Sequence, residues 1–172
     1  MPEPRAPQDL LQPALLDRLT DDDPGTRIEP REARVMNKRE LRAAVLRDLA
    51  WLLNTARLER KDELGSVPYA RRSVINYGLP ALSGRTASSI EITDLERGIR
   101  EAIIEFEPRI LADSLRVRAV EVADHNQHNV IGIQISGQLW AEPVPMELLV
   151  RTEIDLETGH VALADLNAGR AV

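Results

Sequence analysis

The sequence predicts an α+β fold: two main helices packed on one face of an antiparallel β-meander of three to four strands. Three observations predict it. Apolar residues recur with a 3.6-residue period in two segments of the first two thirds of the chain. After Ile110 the period changes to two, the spacing of a half-buried strand. Helical and strand segments do not alternate, so nothing calls for βαβ crossovers and a parallel sheet.

Residues 1–36 read as a tail rich in proline and charge, partly disordered. Pro2, Pro4, Pro7, Pro13, Pro24 and Pro30 break any long helix. Leu10, Leu11, Leu15, Leu16 and Leu19 nevertheless sit at helical spacing. They form either a short helical segment that docks on a neighbour or a chance cluster in a loose tail. Asp21-Asp22-Asp23 leads into Pro24-Gly25, a turn. Residues 37–166 are expected to form a single domain, followed by a short tail at 167–172.

Asn37 and Glu40 form a capping-box pattern. The stripe Leu41, Ala44, Val45, Leu49, Leu52, Leu53, Ala56 then predicts a helix of about 19 residues, roughly 28 Å long. Leu46, Ala50 and Trp51 widen the stripe, so more than one side of this helix is covered. Residues 58–72 are charge-rich and read as a linker or loop. In Ser73–Pro80, Gly78 permits a positive φ and Pro80 forces Leu79 to be extended. Residues 81–91 read as loop. Thr93 and Glu96 repeat the capping-box pattern, and Leu95, Ile99, Ala102, Ile103 and Phe106 predict a helix of about 13 residues. Pro108 ends it.

Leu115, Val117 and Ala119 alternate with Arg116 and Arg118, and a slip of phase to Val120 and Val122 suggests a bulge. Residues 124–129 are a polar turn. Ile131, Ile133, Ile135 and Leu139 alternate on the next strand, with Gly132 and Gly137 where a backbone comes close. Pro143 and Pro145 bracket a connection. Met146, Leu148, Val150, Thr152, Ile154 and Leu156 make the third strand, Glu157–His160 a hairpin turn, and Val161–Leu166 a short fourth strand.

Composition excludes several functions. The chain of 172 residues has 22 Lys and Arg against 28 Asp and Glu, a formal charge of −6. A chain of that balance has no general electrostatic reason to bind nucleic acid. Charge is unevenly divided: basic residues dominate Arg27–Asp48, and acidic residues dominate from Asp124 onward. The absence of cysteine removes disulfides, thiolate nucleophiles and Cys-ligated metals. The N-terminus lacks the basic-then-apolar order of a signal peptide, and no window approaches 18 apolar residues, so a cytoplasmic protein is expected.

Candidate chemistry is thin. His125 and His128 beside Asp124, with His160 farther on, are an incomplete metal-ligand set, and no metal or other cofactor is expected. Ser73, Ser83, Ser114 and Ser136 lie in no nucleophile motif, and no glycine-rich phosphate loop exists. Glu101, Glu105 and Glu107 could supply the two carboxylates of a muramidase-like glycosidase, but the wet face of an amphipathic helix is the simpler account of them. The five aromatic side chains offer little to line a sugar subsite. Glu107-Pro108-Arg109 is the most pointed feature. Read locally, the proline stops a helix and both charges face water. Read functionally, a rigid proline aims a carboxylate and a guanidinium, and the arginine can grip a partner's carboxylate or carbonyls.

Four segments, Leu15–Leu19 (LLDRL), Leu49–Thr55 (LAWLLNT), Ser73–Leu82 (SVINYGLPAL) and Ile104–Ile110 (IEFEPRI), occur in that order. Together they resemble the TssE family, the small baseplate subunit of bacterial type VI secretion systems. That family is similar to a wedge protein of contractile phage tails and is historically labelled lysozyme-like. The resemblance implies a structural adaptor with no catalytic residues. It implies that Glu107, Pro108 and Arg109 dock on the helical core of the baseplate wedge, formed by TssF and TssG, in an assembly near the inner membrane that also holds TssK. It further implies that the sheet accepts strands of the sheath subunits TssB and TssC, so that the baseplate nucleates the sheath.

Overall fold

The computed structural model describes residues 13–20, 24–25, 36–58, 67–84, 90–122, 129–141 and 144–167. Its helices are α1 (Leu15–Leu19), α2 (Lys38–Leu53), α3 (Pro68–Arg71) and α4 (Ile92–Phe106), with a 3₁₀ turn at Val74–Asn76. The strands are β1 (Arg116–Val120), β2 (Val130–Leu139), β3 (Met146–Asp155) and β4 (Val161–Asp165). They form one sheet in the order β1-β2-β3-β4, every neighbouring pair antiparallel. The α+β meander expected from the switch of period is therefore the observed fold.

The capping box of α2 forms. The Asn37 side chain accepts the N–H groups of Arg39 and Glu40 at 2.9 and 3.0 Å, and the Glu40 carboxylate accepts the Asn37 N–H at 2.9 Å. Such a cap contributes about 1 kcal/mol. The buried face of α2 carries Leu41, Ala44, Val45, Leu49, Leu52 and Leu53. These meet Ile99 and Ile103 of α4 and the inner face of the sheet, where Ile133, Ile135, Leu148, Val150 and Ile154 are buried. Each such aliphatic side chain contributes about 1.5 to 3 kcal/mol by leaving water. Thr152 lies buried on the same face, and its hydroxyl donates to the Ile133 carbonyl at 3.2 Å.

Three local expectations are corrected. The second capping box does not form: α4 begins at Ile92 with Glu91 at its cap position and no side-chain cap bond. Thr93 is already inside the helix, and the Glu96 carboxylate instead accepts the Ala119 N–H of β1 at 2.7 Å. The bulge is also absent. The register runs unbroken from Arg116 opposite Ser136 to Val120 opposite Gly132, and the strand then ends. Gly132 relieves the crowding, since a Cβ there would lie 2.6 Å from the Val120 carbonyl oxygen. Finally, the expected loop at 58–72 contains α3, started by Pro68 in the first turn, where a missing N–H costs nothing.

Two tethers close the fold around α2. Asn54, just past its end, donates to the Val161 carbonyl and accepts the Val161 N–H, both at 2.9 Å. Arg42 grips Asp165 of β4 through Nε and Nη2 at 2.7 and 2.6 Å. The loop Ser73–Pro80 returns to the same helix end. The Leu79 N–H donates to the Thr55 carbonyl and the Arg57 N–H to the Leu79 carbonyl, both at 2.8 Å. Gly78 is required there: its φ is +110°, and a Cβ would sit 2.1 Å from the Thr55 oxygen. Among the described residues, no helix is long and apolar enough to cross a membrane.

Candidate functional site

Helix α4 hands its last backbone bond, Glu107 N–H to the Ile103 carbonyl at 2.8 Å, to a residue that Pro108 has already pushed out of helical geometry. The turn that follows is pinned to the end of β2. The Trp140 N–H donates to the Arg109 carbonyl at 2.7 Å, and the Leu111 N–H to the Gln138 carbonyl at 2.9 Å. Pro108 is thereby left exposed at the tip.

The flanking charges do not both face water. Glu107 is only 3% exposed and turns inward. Its carboxylate accepts the Arg109 N–H at 3.2 Å, Arg109 Nε at 2.7 Å and Arg109 Nη2 at 2.5 Å. The same Nη2 also donates to Asp48 of α2 at 2.5 Å. A carboxylate in this setting is tolerable only because it is paired and multiply hydrogen-bonded. The Arg109 side chain, 21% exposed, is held between two carboxylates, so its guanidinium has a fixed direction. Burial alone would lower the pKa of Arg109; the bonds and charges of Glu107 and Asp48 outweigh it and raise that pKa above the ordinary arginine value. Its Nη1 is buried and has no hydrogen-bond acceptor.

The network continues away from the turn. Arg47 Nε donates to Asp48 at 2.9 Å, and Arg47 Nη1 donates to Asp17 of α1 at 2.5 Å. The Arg47 guanidinium also lies over the Trp51 ring, 5.0 Å from its centroid. The result is an alternating series, Asp17, Arg47, Asp48, Arg109, Glu107. Tyr77 forms a wall beside it: its ring meets Phe106 edge-on at 5.2 Å, and its hydroxyl donates to the Asp48 carbonyl at 3.4 Å. Burial, together with the charges of Asp48 and Glu107, raises the Tyr77 pKa above its usual value.

Thus α1 does touch the rest of the chain, through Asp17, while Leu15, Leu16 and Leu19 stay exposed. All four sequence segments that carry the resemblance meet at or beside this cluster: Asp17 from the first, Trp51 from the second, Tyr77 from the third, and Phe106, Glu107 and Arg109 from the fourth. Sequence reasoning singled out Glu107, Pro108 and Arg109 and missed Asp17, Arg47 and Asp48. The available signal was adjacency, since Asp17 lies inside one segment and Asp48 immediately precedes another.

The catalytic candidates are committed elsewhere. Glu105 pairs with Arg72 at 3.0 and 3.1 Å, Glu107 is locked to Arg109, and Glu101 is exposed on α4. Ser73 caps the 3₁₀ turn, and the Ser114 hydroxyl donates to the Leu111 carbonyl and accepts the Gln138 N–H. Ser83 is exposed and Ser136 half-buried on β2. Asp124, His125 and His128 lie outside the described residues. His160 is exposed in the hairpin turn, and among the described residues no group of three metal-ligating side chains assembles.

A family model described as "Baseplate wedge protein gp25" matches residues 39–144, more than half of the chain. The match bears out the resemblance to the small baseplate subunit. No curated protein and no solved structure matches the chain.

Proposed function

The chain belongs to the baseplate wedge protein gp25 family, and from that premise we propose that it is a non-catalytic adaptor in the baseplate of a type VI secretion system. In this reading the Glu107-Pro108-Arg109 turn clips onto the helical core of the wedge, TssF and TssG, in the assembly that also contains TssK. The sheet receives a strand of the first ring of sheath subunits, TssB and TssC, and so starts the sheath.

The observation that carries the reading is the convergence of four sequence segments on one half-buried ionic cluster topped by an exposed proline. A cluster that served only the core would be cheaper to build from apolar side chains. Here a guanidinium is fixed in direction and keeps one donor, Nη1, without an acceptor. That donor is buried, so what the turn offers a partner is the exposed Pro108 and the outer part of the Arg109 side chain. The pairing of Glu105 and Glu107 with arginines supports an absence of glycosidase chemistry, because neither is positioned as a proton donor facing a cleft.

The test is capture of the tagged full-length chain from the bacterium that makes it. Wedge and sheath subunits are expected in the eluate, and the purified chain is expected to release no fragments from peptidoglycan. Capture of neither class of subunit, or peptidoglycan turnover abolished by Glu105→Gln, would overturn the reading.

A further inference from the structure

The strand order leaves two sheet edges, β1 and β4. They are not equivalent. On β4, the Asn54 amide closes both backbone groups of Val161, and Arg42 of α2 holds Asp165. On β1, the Ala119 N–H points away from β2, because it is given to the Glu96 carboxylate. By the alternation of an antiparallel strand, the backbone groups of Val117 face the same way. They look into a groove of about 370 Å³ between α4 and β1. Arg97 and Arg100 line it from the helix, and Arg116 and Arg118 from the strand.

We propose that this groove receives an extended, acidic segment of a partner protein as a fifth strand beside β1. The proposal rests on the strand-addition reading above and adds to it which edge is used and what charge the incoming strand carries. In a chain of net charge −6, four arginines around one sheet edge are a local reversal of sign. Arg100 and Arg116 are spent on main-chain carbonyls of Ala112, Asp113 and Leu115, which fixes them in place without neutralising them. Arg118 has no ion pair among the described residues, and Arg97 pairs with exposed Asp94. A strand with Asp or Glu at alternate positions would meet these cations while its backbone pairs with Val117 and Ala119.

Glu96 has a specific part in this scheme. It occupies the donor that an incoming carbonyl would take, so it protects the edge of the free chain from casual pairing. When displaced, its carboxylate lies one helical turn before Arg100, a favourable spacing for an ion pair on α4.

The test uses the full-length chain and two fluorescent ten-residue peptides, one alternating Glu with Val and the other Lys with Val. Fluorescence anisotropy should show the Glu peptide binding at least about tenfold more tightly than the Lys peptide, with affinity falling as salt rises. The double variant Arg97→Glu/Arg118→Glu alters two exposed side chains and should reverse that preference. Ala119→Pro removes an N–H from an edge strand, where proline is tolerated, and should abolish binding while thermal unfolding stays cooperative. Leu163→Pro on β4 should leave binding unchanged. Loss of binding in Leu163→Pro but not Ala119→Pro would overturn the edge assigned here and leave strand addition standing. No binding of the Glu peptide, binding indifferent to both prolines, or tighter binding of a ten-nucleotide oligothymidylate would overturn the proposal. Sheath assembly that proceeds with both prolines combined would remove the strand-addition reading as well.

Discussion

Arg109 and Glu107 depend on each other, and the two deletions are not symmetric. Arg109→Ala leaves the nearly inaccessible Glu107 carboxylate without its cation and should cost roughly 3 kcal/mol in chemical denaturation. Glu107→Ala leaves a guanidinium that still has Asp48 and some water, and should cost less, about 1 to 2 kcal/mol. Equal costs would mean that Glu107 is not buried as described. Arg109→Ala is therefore a poor probe of partner binding. Arg109→Lys keeps the charge and loses the fork, so it isolates the directional contact. The rigidity of this turn was legible in the sequence, since a proline between two charges fixes backbone direction. The inward rotation of Glu107 was not, because its partner Arg109 is held by Asp48, 61 residues away. Gly78 is the reverse case, since its need for a positive φ was readable. Gly78→Ala should destabilise by roughly 2 to 4 kcal/mol, combining backbone strain with a clash against Thr55; an unchanged denaturation midpoint would refute that packing.

Between elements, the decisive contacts are those that fasten α2 to β4. Asn54→Ala strands both backbone groups of Val161 and should cost about 1 to 3 kcal/mol in a urea titration. The Arg42–Asp165 pair makes part of the stability depend on pH. The hydrogen bond and charge of Arg42 hold the Asp165 carboxyl below its ordinary 3.8. A depressed carboxyl stabilises the fold above its unfolded value, and that contribution is lost as pH falls through the folded value. Asp155, held low by the N–H groups of Glu157 and Thr158, acts in the same direction. Stability should thus decline below about pH 4, and Asp165→Asn should flatten part of the decline. A variant with the wild-type acid slope would show that the clamp does not form. Sequence pattern revealed the α2 cap, the switch to period two and every strand, because each is written within a few neighbouring residues. It misassigned Thr93–Glu96 because a capping pattern one position inside a helix reads the same as a real cap. It read a bulge where Gly132 on the neighbouring strand absorbs the crowding, a cross-strand effect that β1 alone does not reveal.

At the scale of the molecule, α4 relates the two proposed contacts. Its first nine residues include Glu96, Arg97 and Arg100, which line the groove, and its C-terminal end carries Phe106 into the Glu107-Pro108-Arg109 turn. Fifteen residues of helix make a strut about 22 Å long. In the proposed reading such a part transmits position: the turn at one end is held by the platform, and the sheet edge beside the other offers backbone groups to a growing polymer. The most direct measurement is a cryo-electron-microscopy map of the assembled baseplate carrying its first sheath ring, at a resolution that traces main chain. The account predicts the Pro108 tip covered by helices of the wedge core and a foreign strand hydrogen-bonded along β1. A map with that tip in open solvent and β1 unpaired would contradict it.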